Sequence, residues 1–426
     1  MDETHKLEVI KRDYRPRVID SRIEQTLASF GGLLITGPKW CGKSWTGQYY
    51  SNSVLYADRD ENKKKATLMP DDLLEGDRPR LIDEWQDIPI TWDIARRQID
   101  LERKNGMFIF TGSSVPPQDA TSHSGAGRFA KIQMRPLSLF ESGESTGAVS
   151  LSGLFDGHSV EKIPSAMDYK KIVHLICRGG WPSVVWDRGS HEMPKEYLES
   201  ILDTDIKRAG GKRRRISRDT MELVLRSLAR NSATTVKSTT MALDVSNDGK
   251  DVSDQTVRAY VGILKSIFLV DEQRPWRPRM RSKSRVRDSP KKHFIDPSLA
   301  VAALDGDEDT LIDDPNFVGF LFESLCYRDV CVYSSPFGGK VKHFRDSNDF
   351  EIDMIVEAKG AKWGAIEVKL GDDEFEEAAA NLKKLRNKVS EEIKPPSFLM
   401  ILTAVGGYAY TRDDGVAVVP IDCLGP

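Results

Sequence analysis

Eight residues, GPKWCGKS at positions 37–44, fit the pattern G-x-x-x-x-G-K-[ST] at every fixed position. They follow an apolar segment, GLLIT, and open a helical pattern, which is the context that this phosphate-binding loop requires. In such a loop, backbone N–H groups surround phosphate oxygens and the helix N-terminus adds positive charge. We expect Lys43 to reach the β- and γ-phosphates of ATP and the Ser44 hydroxyl to bind Mg²⁺. The predicted ATP-binding residues of this loop are Gly37, Pro38, Lys39, Trp40, Cys41, Gly42, Lys43 and Ser44.

Two carboxylates end a later apolar segment, RLIDEWQ at positions 80–86. We expect Asp83 to hold Mg²⁺ together with Ser44, and Glu84 to orient or deprotonate the attacking water. A solvated strand end is the alternative interpretation. It is disfavoured because the pair lies one helix and one strand after the phosphate loop.

Polar residues also end the next apolar segment, FIFTGSS at positions 108–114. Ser113 or Ser114 could contact the γ-phosphate, and Ser113 is the predicted choice. Arg128 could supply a guanidinium to the transition state, within the same chain or across an interface between copies of the chain. An ordinary surface arginine explains Arg128 equally well, so the oligomeric state stays open.

A second group of candidate residues lies near the C-terminus. Asp353 is central in one predicted strand, and Glu367 and Lys369 share a face of the next, because alternate residues of a strand point the same way. The two carboxylates could hold Mg²⁺ or Mn²⁺ that activates water, with Lys369 as a catalytic cation and Glu323 completing the cluster. A degenerate domain that has kept only the fold is the alternative, and the sequence leaves both open.

Positive charge is concentrated in the middle of the chain. The net charge is −3, but residues 205–293 hold 22 Lys and Arg against 10 Asp and Glu, a balance of +12. Helical patterns at 222–230, 236–243 and 253–264, followed by an apolar strand at 266–270, predict a winged-helix-like segment with Ser253 as a helix cap. We expect DNA to bind here, although a solvated basic loop or a packing module gives the same pattern. The predicted nucleic-acid contacts are Lys212, Arg213, Arg214, Arg215 and Arg258.

The elements around these residues predict an α/β protein. Strands at 33–36, 54–57, 80–82, 107–110 and 130–134 alternate with helices at 43–50, 61–69 and 90–101, which favours a mostly parallel sheet covered by helices on both faces. The C-terminal part predicts strands at 341–345, 351–356, 364–369 and 398–403 with helices at 318–330 and 372–388, whereas Arg274–His293 is interpreted as a loop or connector. We predict a P-loop ATPase domain over 1–160, a helical connector over 161–204, the winged-helix-like basic segment over 205–293 and a nuclease-like α/β domain over 294–426.

The sequence resembles a bacterial and archaeal family of AAA-like ATPases with a C-terminal domain of the type labelled DUF4143. GPKWCGKS, RLIDEWQDIP, FIFTGSS, SGAGRFAKIQMRPLSLFES, GGWP and KKHFIDPSLA carry the resemblance. It implies an ATP-binding domain, a winged-helix-like segment and a C-terminal domain similar to restriction-endonuclease-type nucleases, without a settled biological role. Asp353, Glu367 and Lys369 look like a PD-(D/E)xK core, except that Ile352 stands where the pattern has proline.

Composition excludes several protein classes. The 426 residues are 39% apolar and 30% charged, which is ordinary for a globular protein and excludes a collagen-like or wholly disordered chain. No stretch approaches the roughly 18 uninterrupted apolar residues of a membrane helix, and the charged N-terminus has no apolar h-region of a signal peptide. Five scattered cysteines fit a reducing cytoplasm rather than a disulfide scaffold.

We therefore predict a cytoplasmic ATPase that couples ATP to DNA binding; the alternatives are a nucleotide-controlled interaction or signalling module and an ATP-regulated nuclease.

Overall fold

The structure is a computed structural model, and it describes residues 3–114, 125–187, 189–190, 192–205, 216–278, 289–390 and 393–426. The chain divides into two compact units. The first comprises residues 1–136 with 266–268, and the second comprises residues 137–265 and 269–426. Residues 137–160 therefore fold with the second unit, while the finer boundaries inside that unit stay predictions.

The first unit is built around a five-stranded parallel sheet with strand order β2-β3-β4-β1-β5. Its helices are α1 (Glu3–Asp13), α2 (Asp20–Ser29), α3 (Lys43–Tyr49), α4 (Asp60–Leu68) and α5 (Ile90–Glu102), with 3₁₀ turns at Asp71–Leu74 and Trp85–Asp87. Its strands are β1 (Gly32–Thr36), β2 (Ser53–Tyr56), β3 (Arg80–Asp83), β4 (Phe108–Gly112) and β5 (Phe129–Gln133). The predicted parallel α/β fold of the N-terminal region is confirmed, with element ends differing by one or two residues.

Both faces of this sheet are buried. Phe108 and Phe110 of β4 pack with Trp85 and Trp92 on one face, while Ile109 between them packs against Leu33 and its neighbours on the other. Such two-sided burial is typical of parallel sheets covered by helices. Because the sheet is parallel, the loops that follow β1, β3 and β4 open at one edge, where the candidate residues stand.

The second unit contains a seven-stranded mixed sheet with strand order β10-β11-β12-β13-β15-β14-β7. Its strands are β6 (Val149–Ser150), β7 (Ile163–Pro164), β8 (Val270–Gln273), β9 (Lys291–Phe294), β10 (Lys340–Arg345), β11 (Glu351–Glu357), β12 (Trp363–Lys369), β13 (Phe398–Thr403), β14 (Tyr408–Thr411), β15 (Ala417–Pro420) and β16 (Leu424–Gly425). Its first helices are α6 (Leu139–Ser142), α7 (Leu151–Phe155), α8 (Tyr169–Arg178), α9 (Pro182–Trp186) and α10 (Met193–Ser200), followed by a π-helical turn at Ile201–Asp205. The later helices are α11 (Arg218–Arg230), α12 (Ser238–Asn247), α13 (Asp254–Ser266), α14 (Ser298–Ala303), α15 (Glu308–Ile312), α16 (Pro315–Ser334) and α17 (Phe375–Val389), with 3₁₀ turns at Lys359–Ala361, Asp372–Glu374 and Ile421–Cys423.

Two sequence predictions in the middle of the chain are wrong. The apolar strand expected at 266–270 begins only at Val270, because α13 continues to Ser266. The loop expected over Arg274–His293 ends in β9, which pairs antiparallel with β8. Strand β9 begins with the polar residues Lys291, Lys292 and His293, which give no apolar pattern in the sequence. Lys291 and His293 are nevertheless buried, Lys291 against carboxylates from other elements.

None of the helices in the described ranges is long and apolar enough to span a membrane.

Candidate functional site

The phosphate loop lies between β1 and α3, as its sequence predicts. Gly42 adopts φ 100°, a left-handed conformation that favours glycine, and α3 begins at the next residue. A Cβ on Gly37 would stand 2.3 Å from the carbonyl oxygen of Met134, so only glycine fits there. The buried Arg17 guanidinium donates to the carbonyls of Cys41 at 2.9 Å and Arg135 at 3.0 Å. Arg17 thus fixes the loop from outside it.

Lys43 is 4% exposed, and its ammonium donates to the Pro38 carbonyl at 2.6 Å. The cation therefore lies over the backbone of its own loop rather than in solvent. Trp40, in contrast, is 55% exposed and has φ 63°. The loop presents one buried cation and one exposed indole.

Ser44 and Asp83 are in direct contact. The Ser44 hydroxyl donates to Asp83 Oδ1 at 2.8 Å, and the Thr111 hydroxyl donates to the same oxygen. Burial raises the pKa of Asp83, while these two hydrogen bonds and the Lys43 charge favour its ionised form. The result is a cluster of hard oxygen donors of the kind that Mg²⁺ prefers.

Glu84 stands beside this cluster with its carboxylate held by two donors. Ser113 Oγ donates to Glu84 Oε2 at 3.1 Å, and the Gln86 side-chain amide donates to the same oxygen. Glu84 itself adopts φ 53°, the left-handed conformation, at the sharp turn after β3. Ser113 is thus brought to Glu84, whereas Ser114 has no such contact among the hydrogen bonds of the described residues.

Arg128 is not brought to the phosphate loop. It immediately precedes β5, and its carbonyl accepts from the N–H of Gly32 at the start of β1. Arg128 therefore lies at the N-terminal ends of the parallel strands, whereas the phosphate loop follows the C-terminal end of β1. The Arg128 guanidinium instead bonds Asp100 Oδ1 at 2.8 Å. Catalysis by Arg128 at the phosphate loop of its own chain therefore has no geometric support, and a role across an interface stays a prediction.

In the second unit, the structure brings Asp353 and Glu367 together. Asp353 Oδ2 accepts the N–H of Val368, the residue after Glu367, at 2.9 Å, and Glu367 Oε1 is buried without a hydrogen-bond partner among the described residues. Burial and the Asp353 charge raise the pKa of Glu367 well above its usual range. Burial lowers the pKa of Lys369, but the Glu367 and Asp353 carboxylates raise it by more.

Lys291 is a member of this cluster that the sequence reasoning missed. Its ammonium lies 2.7 Å from Glu323 Oε1, 2.6 Å from Glu351 Oε1 and 3.3 Å from Asp353 Oδ1. A signal was present in KKHFID, where a charged residue opens a strand whose alternate positions are buried, but it is weak. Within the described ranges, no group of three or more His, Cys, Asp and Glu side chains is arranged to hold a metal ion.

A cleft of about 640 Å³ opens onto these carboxylates. Glu323, Glu351 and Asp353 line one side, and the segment leading into α12, with Thr234, Thr235 and Lys237, lines another. The lining also includes the apolar side chains of Ala233, Val236 and Phe320.

The predicted nucleic-acid residues are only partly described. Lys212, Arg213, Arg214 and Arg215 lie outside the described residues. Arg258 lies on α13, and its side chain is 64% exposed beside Asp254. Ser253 caps this helix by accepting the Thr256 N–H at 3.1 Å, which confirms the predicted cap.

Comparison with known proteins divides the chain into three matched segments. Residues 30–142 match an AAA domain, residues 169–310 match the domain of unknown function DUF8612, and residues 318–424 match the domain of unknown function DUF4143. No curated protein matches the chain. Together with the loop geometry, these matches make residues 30–142 a nucleotide-binding P-loop domain of AAA type and residues 318–424 a domain of DUF4143 type.

Solved structures show only distant overall similarity. The Walker-type ATPase PABY2304 of Pyrococcus abyssi is 15% identical, with 69% of this chain and 97% of that chain covered and a TM-score of 0.43. The replication initiator DnaA bound to AMPPCP and single-stranded DNA is 13% identical, with 60% and 91% covered and a TM-score of 0.28. AMPPCP-bound DnaA from Aquifex aeolicus is 14% identical, with 62% and 89% covered and a TM-score of 0.27.

Proposed function

We propose that this protein hydrolyses ATP with Mg²⁺ and that nucleotide state controls DNA binding by its second unit. The observation that carries the ATPase half is the contact of Ser44 with Asp83, next to Glu84, at the edge of a domain that matches the AAA family. Two segments about 40 residues apart thus bring the Ser44 hydroxyl and the carboxylates of Asp83 and Glu84 to the end of the phosphate loop.

Each side chain has a distinct role in the proposal. Lys43 exchanges its contact with the Pro38 carbonyl for a phosphate oxygen, which replaces a neutral acceptor by a charged one. Ser44 and Asp83 would hold Mg²⁺, which neutralises phosphate charge when bound. Glu84 orients the attacking water and takes its proton on the carboxylate, while Ser113 and Gln86 keep that carboxylate in place.

The DNA-binding half rests on charge and on local fold. Residues 205–293 carry a balance of +12 in a chain whose net charge is −3. Helices α11, α12 and α13 followed by the β8–β9 pair have the order of a winged helix, in which the third helix and the strand pair meet DNA. Exposed Arg258 on α13 and the run from Lys212 to Arg215 supply cations for phosphate contacts.

Two rival functions remain to be separated from this one. A nucleotide-controlled interaction or signalling module would bind a partner through an inactive nuclease-like domain, and an ATP-regulated nuclease would cut DNA at Asp353, Glu367 and Lys369. The fit of that second site to a metal is poor, because Asp353 already accepts from Val368 and faces Lys291.

The test is ATP turnover by the full chain with and without duplex, branched and single-stranded DNA at low salt. The proposal predicts Mg²⁺-dependent turnover that DNA changes, and binding of DNA that differs between the ATP and ADP states. An ATP turnover rate that none of the three kinds of DNA changes, with no salt-sensitive gel shift, would favour the interaction module. Metal-dependent cutting would favour the nuclease.

A further inference from the structure

We propose that the Lys291 ammonium is a built-in cation of the carboxylate centre in the second unit and that this centre, in the native chain, binds neither Mg²⁺ nor Mn²⁺. The inference goes beyond the proposed ATPase and DNA-binding function and does not depend on it. It concerns the residues that the sequence interprets as a metal site.

The contacts of Lys291 satisfy its ammonium completely. A lysine ammonium has three N–H donors, and oxygens of Glu323, Glu351 and Asp353 stand at 2.7, 2.6 and 3.3 Å from it. The Lys291 side chain is 3% exposed, so water does not compete for these donors. Buried charges persist when they are paired in this way.

The same oxygens are those that a divalent ion would need. Mg²⁺ and Mn²⁺ are held by carboxylate oxygens, at about 2.0–2.1 Å for Mg²⁺. An ion at that distance from Asp353 Oδ1 and Glu323 Oε1 would stand against the ammonium, and two cations repel strongly in a buried site. The second oxygen of Asp353 is occupied by the Val368 N–H at 2.9 Å.

The backbone keeps Lys291 in place. Lys291 pairs with Gln273 in the β8–β9 ladder, which fixes its Cα. Two residues on, His293 is held between Ser324 at 3.0 Å and Gln273 at 3.2 Å. A movement of β9 away from the carboxylates would therefore break the β8–β9 ladder and the hydrogen bonds of His293.

Charge accounting agrees with this arrangement. Glu323, Glu351, Asp353 and Glu367 face Lys291 and Lys369, with Arg345 3.4 Å from Glu351. Burial raises the pKa of Glu323 to about 8 and the pKa of Glu367 well above its usual range, so protons already neutralise part of this carboxylate charge. A divalent ion would leave this centre with an excess of positive charge.

The experiment is Mn²⁺ titration of the nucleotide-free full chain at about pH 8, where carboxylates near Lys291 are ionised in part, followed by electron paramagnetic resonance of free Mn²⁺. Wild type and Asp353→Asn should bind the same number of ions. Lys291→Met should bind one ion more, and the Lys291→Met/Asp353→Asn double variant should lose it. Lys292→Met is the matched control, because Lys292 is the next residue of the strand but donates to the Val236 carbonyl at 2.7 Å.

Two results would overturn the proposal. One is an ion bound by wild type and lost in Asp353→Asn, which decides the question even if Lys291→Met does not fold. The other is a folded Lys291→Met chain that gains no ion. An equal number of Mn²⁺ ions bound by wild type and Asp353→Asn supports the proposal. The experiment does not measure ATP turnover, so it is independent of the proposed ATPase function.

Discussion

Glu84 lies one residue after the Asp83 carboxylate, yet the two have different surroundings. Asp83 is buried under the hydroxyls of Ser44 and Thr111, whereas Glu84 turns toward Ser113 and Gln86. The strained φ of 53° at Glu84 separates the two side chains. We therefore propose different tasks for these adjacent carboxylates, Mg²⁺ binding for Asp83 and proton transfer for Glu84.

Changing Glu84 to Gln should separate binding from turnover. The amide keeps the shape of the side chain but removes the proton acceptor, so we expect ATP affinity to persist and turnover to fall by about 10²–10⁴-fold. Calorimetry and phosphate release measure the two quantities. Asp87→Asn is the control, because Asp87 pairs with Lys63 at 2.9 Å on the other side of the turn. Equal losses in both variants would contradict a specific role for Glu84.

At the same scale, motif residues were predictable and their supports were not. Spacing alone predicts Lys43, Ser44, Asp83 and Glu84 as site residues, because a phosphate loop and a strand end have local signatures. Arg17, Thr111 and Gln86 act only through contacts that form on folding, and no spacing links them to the loop. Arg128 stood close to plausible motif residues in sequence, but a parallel strand carries it to the far edge of the sheet.

At the scale of elements, the parallel sheet was predictable to within a residue or two. Buried strands appear in the sequence as short apolar runs, and helices appear as alternating apolar and charged stretches. Both kinds of element can therefore be predicted from local sequence. Strand β9 leaves only a weak signal, because two of its three buried positions are the polar residues Lys291 and His293. Their burial is stabilised by Glu323 and Ser324 of α16, which lie more than 30 residues away.

The basic segment yields a prediction at this scale. Replacing Arg213, Arg214 and Arg215 by Ala should weaken duplex DNA binding similarly on different sequences and reduce its salt dependence, because phosphate contacts release counterions. Each lost contact should lower the slope of log affinity against log salt by about one. The matched control is Lys63→Ala/Lys64→Ala/Lys65→Ala on α4, another run of three cations. Gel shifts over a salt series measure both.

An equal loss of DNA affinity in the two triple variants would show that any reduction in positive charge weakens binding, wherever it lies in the chain. No salt-sensitive shift with the wild type would contradict DNA binding by this segment and would leave a solvated face or a protein-binding face as the alternatives.

At the scale of the second unit, one buried charge cluster connects segments that are distant in sequence. Arg328 on α16 bonds Asp296 at 2.8 Å and Asp329 at 2.7 Å, and all three side chains are at most 2% exposed. Asp329 accepts the N–H of Leu139 at 2.9 Å, and Asp296 accepts the N–H of Gly180 at 3.0 Å. The stretches RPLSLFES, GGWP and HFIDP are therefore held together by one guanidinium.

Removing that guanidinium should destabilise the protein severely. Arg328→Met leaves two buried carboxylates without their cation, and breaking a buried ion pair in this way costs about 3–5 kcal/mol. Chemical denaturation monitored by tryptophan fluorescence measures the change. Arg412→Met is the control, because Arg412 pairs with Glu376, which is 86% exposed. A loss of stability no larger than the control's would contradict the role of the cluster.

The division of the whole chain was less predictable than its parts. A P-loop domain ending near residue 160 follows from the Ser- and Gly-rich stretch there, but residues 137–160 fold with the second unit. The capping box of Ser138 with Glu141 starts a helix whose first N–H is taken by Asp329. Local composition cannot predict this contact, because Asp329 lies 190 positions after Leu139 in the sequence.

ATP binding by the phosphate loop is the central claim, and calorimetric titration of ATP with Mg²⁺ into Lys43→Ala tests it most directly. Lys104→Ala is the matched control, because Lys104 is 72% exposed and pairs with Glu102 at 3.3 Å outside the phosphate loop. We predict that Lys104→Ala retains wild-type affinity and that Lys43→Ala loses at least about tenfold, since a charge-assisted hydrogen bond contributes about 1.5–3 kcal/mol. Unchanged affinity in Lys43→Ala, in a folded chain, would contradict the assignment of the loop and the function built on it.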